Sequence, residues 1–264
     1  MTDTLKQKLA RGERTVAFAV SRVYHHNLIQ MLGMAGGFDG FWIDAEHAGF
    51  SATEMEIAAM AGRCVGLDSF ARIAPTDYAS VTRCLESGVS GVMAAQIHSA
   101  EHTEEFVQWC KFAPRGCRGL NAGGFDGRFG SLSAAEFTTR ANRENFVAIQ
   151  IETQGALDEC DAIAAIDAVD HLFVGPSDLS QILGITGDFM HPDCQAAIDR
   201  VAAACKRHGK SWGAVTPTPE HARMCAEKGC QMISLTNDVR LVNAGIKAVR
   251  SAFGSFFPTA GGPG

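Results

Sequence analysis

The chain has 264 residues, 46% of them hydrophobic and 20% charged, enough to bury one large core and close to the usual length of an α/β barrel. A formal net charge of −6 sets up no field attractive to phosphate backbones or anionic lipid, which disfavours nucleic acid and membrane as partners and favours small solutes. No apolar run approaches the roughly 18 residues of a membrane span, and the charged start MTDTLKQKLARGERT lacks the apolar core of a secretion signal, so the sequence reads as cytoplasmic.

In chain order the predicted strands span 15–20, 40–43, 68–72, 90–94, 146–151, 171–174, 211–215 and 231–235, each followed by a helical stretch. Gly37, Gly66, Gly88, Gly209 and Gly229 each stand between an amphipathic stretch and an apolar run, where a helix ends in the left-handed conformation. Helix starts are as legible: Ser51 with Glu54 makes a capping-box pattern, Ser99 opens AEHTEEFVQWC, and Thr218 precedes Pro219 at a first helical position. Eight βα units without a long linker predict a single closed (β/α)₈ barrel over residues 1–257, with an open doubly wound sheet as the alternative. Residues 258–264, PTAGGPG, read as a loose tail.

The segment 116–145, with Gly116, Gly119, Gly123, Gly124, Gly127 and Gly130, interrupts the alternation. It is expected to form an extended βα loop over the barrel mouth, or else a disordered surface loop. The nine cysteines are odd in number, include no C-x-x-C pair and fall mostly in predicted helices, so reduced thiols are expected.

Chemistry in such barrels sits at the C-terminal ends of the strands. Strand two, FWID, delivers Asp44 there, with His47 in the following loop; strand three ends on Arg72; His25 and His26 follow strand one. In FVAIQIE, Ala148, Gln150 and Glu152 share one parity and Val147, Ile149 and Ile151 the other, which turns Glu152 inward at the rim. Strand six leads into GPSDLS, where Gly175 and Pro176 turn the chain and bring Asp178 to the same rim.

Glu152 and Asp178 lie one βα unit apart, on strands spaced about 4.8 Å. Two such carboxylates repel unless a positive charge lies between them. A hard divalent cation such as Mg²⁺ or Mn²⁺ meets that need while leaving positions for water and substrate. No Cys or His cluster has zinc-ligand spacing. The loops after strands seven and eight, TPTPE and TNDV, carry no glycine-rich phosphate cradle.

Five stretches, FDGFWIDAEHAGF, ARIAP, FAPRGCRG, VAIQIETQGALD and FVGPSDLSQILG, resemble in order and spacing the HpcH/HpaI-type class II aldolases, and the similarity covers nearly the whole chain. The resemblance implies a barrel of the phosphoenolpyruvate/pyruvate-binding type and an aldehyde-lyase that uses Mg²⁺, Mn²⁺ or Co²⁺. It places Glu152 and Asp178 as metal ligands, Arg72 beside the keto oxygen, His47 as the proton-transfer group with Asp44 in its motif, and Gln150 with the backbone at Gly175 and Ser177 along the 2-oxo acid. It also implies a homo-oligomer, a hexamer with sites completed by neighbours. Glu86 stands where that family often has an aspartate directed at a neighbouring subunit's histidine. Ala95 in place of a usual proline and the loop NAGGFD (121–126) are further departures.

The expected reaction is reversible cleavage of a 4-hydroxy-2-oxo acid to pyruvate, or hydroxypyruvate, and an aldehyde. Arg72 and the cation stabilise the enolate oxygen, and His47 moves the C4 hydroxyl proton through a water. No lysine falls at a predicted strand end, which speaks against a Schiff base. A related acyl-CoA ester lyase and a non-catalytic 2-oxo acid-binding barrel are the alternatives.

Overall fold

The computed structural model describes residues 3–257; the predicted tail, 258–264, lies outside them. The chain runs α1 (Leu5–Ala10), β1 (Thr15–Val20), α2 (His26–Ala35), β2 (Gly40–Asp44), α3 (Ala52–Cys64), β3 (Asp68–Ile73), α4 (Tyr78–Glu86), β4 (Gly91–Ala94) and α5 (Ala100–Cys110). There follow α6 (Ala134–Glu144), β5 (Phe146–Ile151), α7 (Gln154–Asp158), α8 (Cys160–Ala165), β6 (His171–Val174), α9 (Pro176–Ile182) and α10 (Pro192–His208). The last elements are β7 (Ser211–Val215), α11 (Pro219–Glu227), β8 (Met232–Asn237) and α12 (Asp238–Ala252). All eight strands are parallel and close into a barrel in sequence order, β8 pairing with β1.

Period-two patterning separates two cores. Ala17, Ala19, Trp42, Phe70, Met93, Phe146, Ala148, Phe173 and Met232 fill the barrel interior. The intervening strand residues, among them Phe18, Ile43, Val92, Val147, Ile149 and Val174, pack outward against the helices. The predicted glycine stops hold: Gly37, Gly66, Gly88, Gly209 and Gly229 all have positive φ. Ser51, Ser99 and Thr218 cap α3, α5 and α11. All nine cysteines are free.

The two ends of the barrel differ. At the N-terminal end, α1 presses Leu5 and Leu9 into the interior core, and the Leu5 amide donates to Asp68 Oδ2 at 2.6 Å. At the C-terminal end, buried Asp238 accepts from the amides of Ser21 (2.9 Å) and Val23 (2.6 Å) and from Ser21 Oγ (2.7 Å), tying the end of β8 to the end of β1.

The expectation that 116–145 overhangs the mouth is overturned. The segment follows α5 and precedes β5, so it lies at the N-terminal end of the barrel; Phe125 packs under the Arg63 guanidinium, and the segment closes with the whole of α6 and its caps, Ser133 and Asn145. Arg118 anchors it from within, its side chain fully buried, 2.5 Å from Asp126 and over the Phe112 ring.

Beyond Asp238, α12 buries no residue: Val242, Ile246, Val249 and Phe253 make an apolar row that is 39–55% exposed. No helix among the described residues is long and apolar enough to cross a membrane.

Candidate active site at the C-terminal rim

The rim is assembled from the ends of β2 to β6. Asp44 is the last residue of β2 and pairs in register with Arg72 near the end of β3. Asp44 Oδ1 lies 2.8 Å from Arg72 Nη2 and accepts from Nε at 3.2 Å, and both residues are 7% exposed. The same oxygen accepts the amides of Glu46 (3.2 Å) and His47 (3.1 Å), so Asp44 shapes the turn that follows its strand. Asp44 meets His47 through the backbone amide alone, and the His47 ring turns out toward solvent.

Glu46, absent from the sequence-derived set, completes the arginine's surroundings. Its Oε2 lies 3.3 Å from Arg72 Nε and 3.8 Å from His47 Nε2, is buried, and has no hydrogen-bond partner. The guanidinium carbon stands 4.8 Å from the centroid of Trp42. Two carboxylates and an aromatic face thus fix Arg72 in one orientation, as a planar guanidinium allows and a lysine would not.

Glu152 follows β5 directly and is 1% exposed, on the inward parity expected for it. Its Oε1 accepts from the backbone amide (3.0 Å) and the side-chain amide (3.1 Å) of Gln96, and its Oε2 accepts from Gln150 Nε2. Burial raises its pKa to about 7; the Gln96 amide works against that shift, the negative charges of Glu46 and Asp178 add to it, and Arg72 opposes it. Asp178 sits half-buried in the first turn of α9, behind Gly175 and Pro176.

Gly175 contributes space. Its amide is taken by Ile151 O, and a Cβ at this position would lie 2.5 Å from both Gln150 Nε2 and Glu152 Oε2. Ser177 is exposed, and its amide falls in the first turn of α9, where helical amides have no intrahelical acceptor. Gln150 Oε1 is buried and unpartnered.

Among the described residues no three His, Cys, Asp or Glu side chains gather as a metal cluster. The Glu152 and Asp178 carboxylates would offer oxygen donors suited to a hard cation that keeps water and substrate oxygens, and unsuited to structural zinc.

Glu86 is not brought to this rim by its own chain. It ends α4, at the opposite end of the barrel, where its Oε2 accepts from Asn121 Nδ2 at 3.1 Å. His25 caps α2 through Nδ1 and stacks on His26 at 4.2 Å between centroids.

Comparison with known proteins agrees with this architecture. The family model described as HpcH/HpaI aldolase/citrate lyase matches residues 14–244. The 5-keto-4-deoxy-D-glucarate aldolase of Klebsiella pneumoniae is 30% identical over 224 residues, 85% of this chain and 86% of that one. The crystal structure of an HpcH/HpaI aldolase from Desulfitobacterium hafniense superposes with a TM-score of 0.88 at 31% identity, covering 98% of this chain and 99% of the other. A Burkholderia cenocepacia protein of the HpcH/HpaI aldolase/citrate lyase family has a TM-score of 0.86 at 30% identity, covering 94% and 98%. By class the protein is a lyase built on a (β/α)₈ barrel. It belongs to the HpcH/HpaI aldolase/citrate lyase family.

Proposed function

We propose that the chain reversibly cleaves a 4-hydroxy-2-oxo acid into pyruvate, or hydroxypyruvate, and an aldehyde, using a divalent cation held by Glu152 and Asp178. The observation that carries this reading is the burial of Glu152 beside two further carboxylates, Glu46 and Asp178, which raises its pKa and leaves the rim short of positive charge. Similarity to relatives named 5-keto-4-deoxy-D-glucarate aldolase supports a 2-oxo acid derived from a sugar acid as the substrate class.

A bound Mg²⁺, Mn²⁺ or Co²⁺ supplies Lewis-acid stabilisation of the enolate. The chain's own residues do the rest. Arg72, fixed by Asp44, Glu46 and Trp42, presents a charge already oriented for the oxygen on which negative charge develops, so no reorganisation is needed as the bond breaks. His47, exposed on its turn, exchanges the C4 hydroxyl proton through a water in this reading. The Ser177 amide and Gln150 line the acid, and Gly175 keeps the space beside Glu152 open.

The lysines of the described residues lie in helices, at the helix C-caps Lys111 and Lys228, or, for Lys210, just ahead of β7. Borohydride with pyruvate is therefore expected to leave activity intact. The apolar row on α12 and the remoteness of Glu86 from its own rim support assembly with further copies, which the family resemblance sets at six.

Proton NMR of pyruvate C3 in D₂O with enzyme and Mn²⁺ or Mg²⁺ tests the proposal without a choice of aldehyde. Exchange is expected, and it is expected to vanish on chelation and in Glu152→Gln and Asp178→Asn. Undiminished exchange in both variants would remove these carboxylates from the mechanism.

A further inference from the structure

Gln96 holds a left-handed backbone, φ 53°, in the loop that follows β4. Side chains with a Cβ adopt this conformation at a cost, and such residues persist where the surroundings enforce them. Here the surroundings are the turn after β5. Thr153 Oγ1 donates to Ile97 O, and a Cβ at Gly155 would collide with the carbonyl of His98, so the two loops pack backbone to backbone. In that arrangement both donors of Gln96, amide N–H and side-chain Nε2, converge on one atom, Glu152 Oε1.

A carboxylate offers about four lone-pair sites, two on each oxygen. Gln96 occupies the two on Oε1 and Gln150 occupies one on Oε2, which leaves a single open site, on Oε2. Oε2 is also the oxygen that faces Gly175, where a missing Cβ keeps the space clear. The saturated oxygen and the open space thus agree on which side of the carboxylate is available.

We infer that Gln96 is a positioning residue: by saturating Oε1 it presents Glu152 to a divalent cation through Oε2 alone. The inference rests on the reading of Glu152 as a ligand. Gln96 itself touches neither substrate nor cation. Its contribution is the fixed rotation of the Glu152 carboxylate.

Mn²⁺ binding to the full-length protein, followed by the electron paramagnetic resonance signal of the free ion, tests this alongside the melting temperature of the metal-free protein. Gln96→Met keeps the length and the Cβ and loses the side-chain donor; it is expected to bind Mn²⁺ about 10-fold more weakly, the usual scale for loss of a ligand's supporting partner. Its metal-free melting temperature is expected to stay at that of the unsubstituted protein, a combination that a merely structural role would not give. Gln96→Gly loses the same side-chain donor and tolerates the positive φ; its affinity is expected to fall by a similar factor, and it decides the matter if the Met variant does not fold.

Glu152→Gln separates the two layers of the argument. Weak Mn²⁺ binding in Glu152→Gln with unaltered binding in both Gln96 variants would overturn the role of Gln96 and leave the ligand intact. Unaltered binding in Glu152→Gln would overturn both.

Discussion

Asp44 and Arg72 face each other across the β2–β3 ladder, and one oxygen, Asp44 Oδ1, serves both the guanidinium and the two amides of the turn that carries Glu46 and His47. A single buried atom therefore couples the orientation of the arginine to the path of the histidine loop. Asp44→Ala is expected to lower stability by about 3 kcal/mol, because it strips one partner from a buried ion pair. It is expected to lower kcat/KM for oxo-acid cleavage about 100-fold, the scale of a lost electrostatic contact to developing charge. Asp44→Asn keeps an oxygen for the amides and is expected to recover most of the stability and little of the rate. Urea unfolding and steady-state kinetics on the three proteins check the split.

The metal-free rim carries more negative charge than its surroundings balance. In Glu152→Gln the side-chain oxygen can still meet Gln96, and Gln150 can turn its amide to offer the unpartnered Oε1 to the new NH₂. The metal-free variant is expected to melt about 2–4 °C above the unsubstituted protein, roughly 1 kcal/mol in a chain of this size. Mn²⁺ is expected to raise the melting temperature of the unsubstituted protein and to leave that of the variant unchanged. Differential scanning calorimetry with and without Mn²⁺ reads both effects.

Gly175→Ala adds one methyl group 2.5 Å from Glu152 Oε2 and Gln150 Nε2. Something must move, and the side chains can yield where the backbone of the β6–α9 turn cannot. Pyruvate C3 exchange is expected to fall at least 10-fold, since about 1 Å of misplacement can cost 100-fold in rate. Circular dichroism is expected to remain that of the unsubstituted protein; full exchange activity in this variant would mean that the space beside Oε2 has no part in the chemistry.

His171 lies inside the barrel, fully buried, with Nδ1 2.7 Å from Ser211 Oγ. Burial lowers its pKa from 6.5 to about 3. Between those values the unfolded chain binds a proton that the folded chain refuses, so this residue's stabilising neutrality is complete above about pH 6.5 and is lost as pH falls toward 3. The slope approaches 1.4 kcal/mol per pH unit, from about one proton's difference between the states. Chemical unfolding at pH 7, 6 and 5 is expected to show this loss, and His171→Leu is expected to flatten it.

The strands, the glycine stops and the caps were legible because each is local: an alternation, a positive φ that only glycine adopts freely, a hydroxyl three residues ahead of an amide. Strand parity extended that legibility to Glu152. It stopped at Glu46, which lies past the end of β2 in a turn where alternation no longer predicts direction. Gln96 was hidden for another reason: its placement depends on a left-handed backbone that no glycine announces. The glycine-rich stretch at 116–145 shows the opposite failure. Its glycines marked an irregular segment correctly but carried no information about which end of the barrel it occupies. The order of elements did carry it, because a segment that comes after a helix and before a strand lies where strands begin.

The link from Asp238 to Ser21 and Val23 joins residues from the two extremes of the chain. During synthesis every earlier strand can find its neighbour as soon as it emerges, but β1 waits for β8. Until residue 238 has left the ribosome the growing sheet has two bare edges, able to pair with any other nascent strand nearby. Closure is therefore a late event, and the cell's opportunity to misassemble this protein lasts almost as long as its translation.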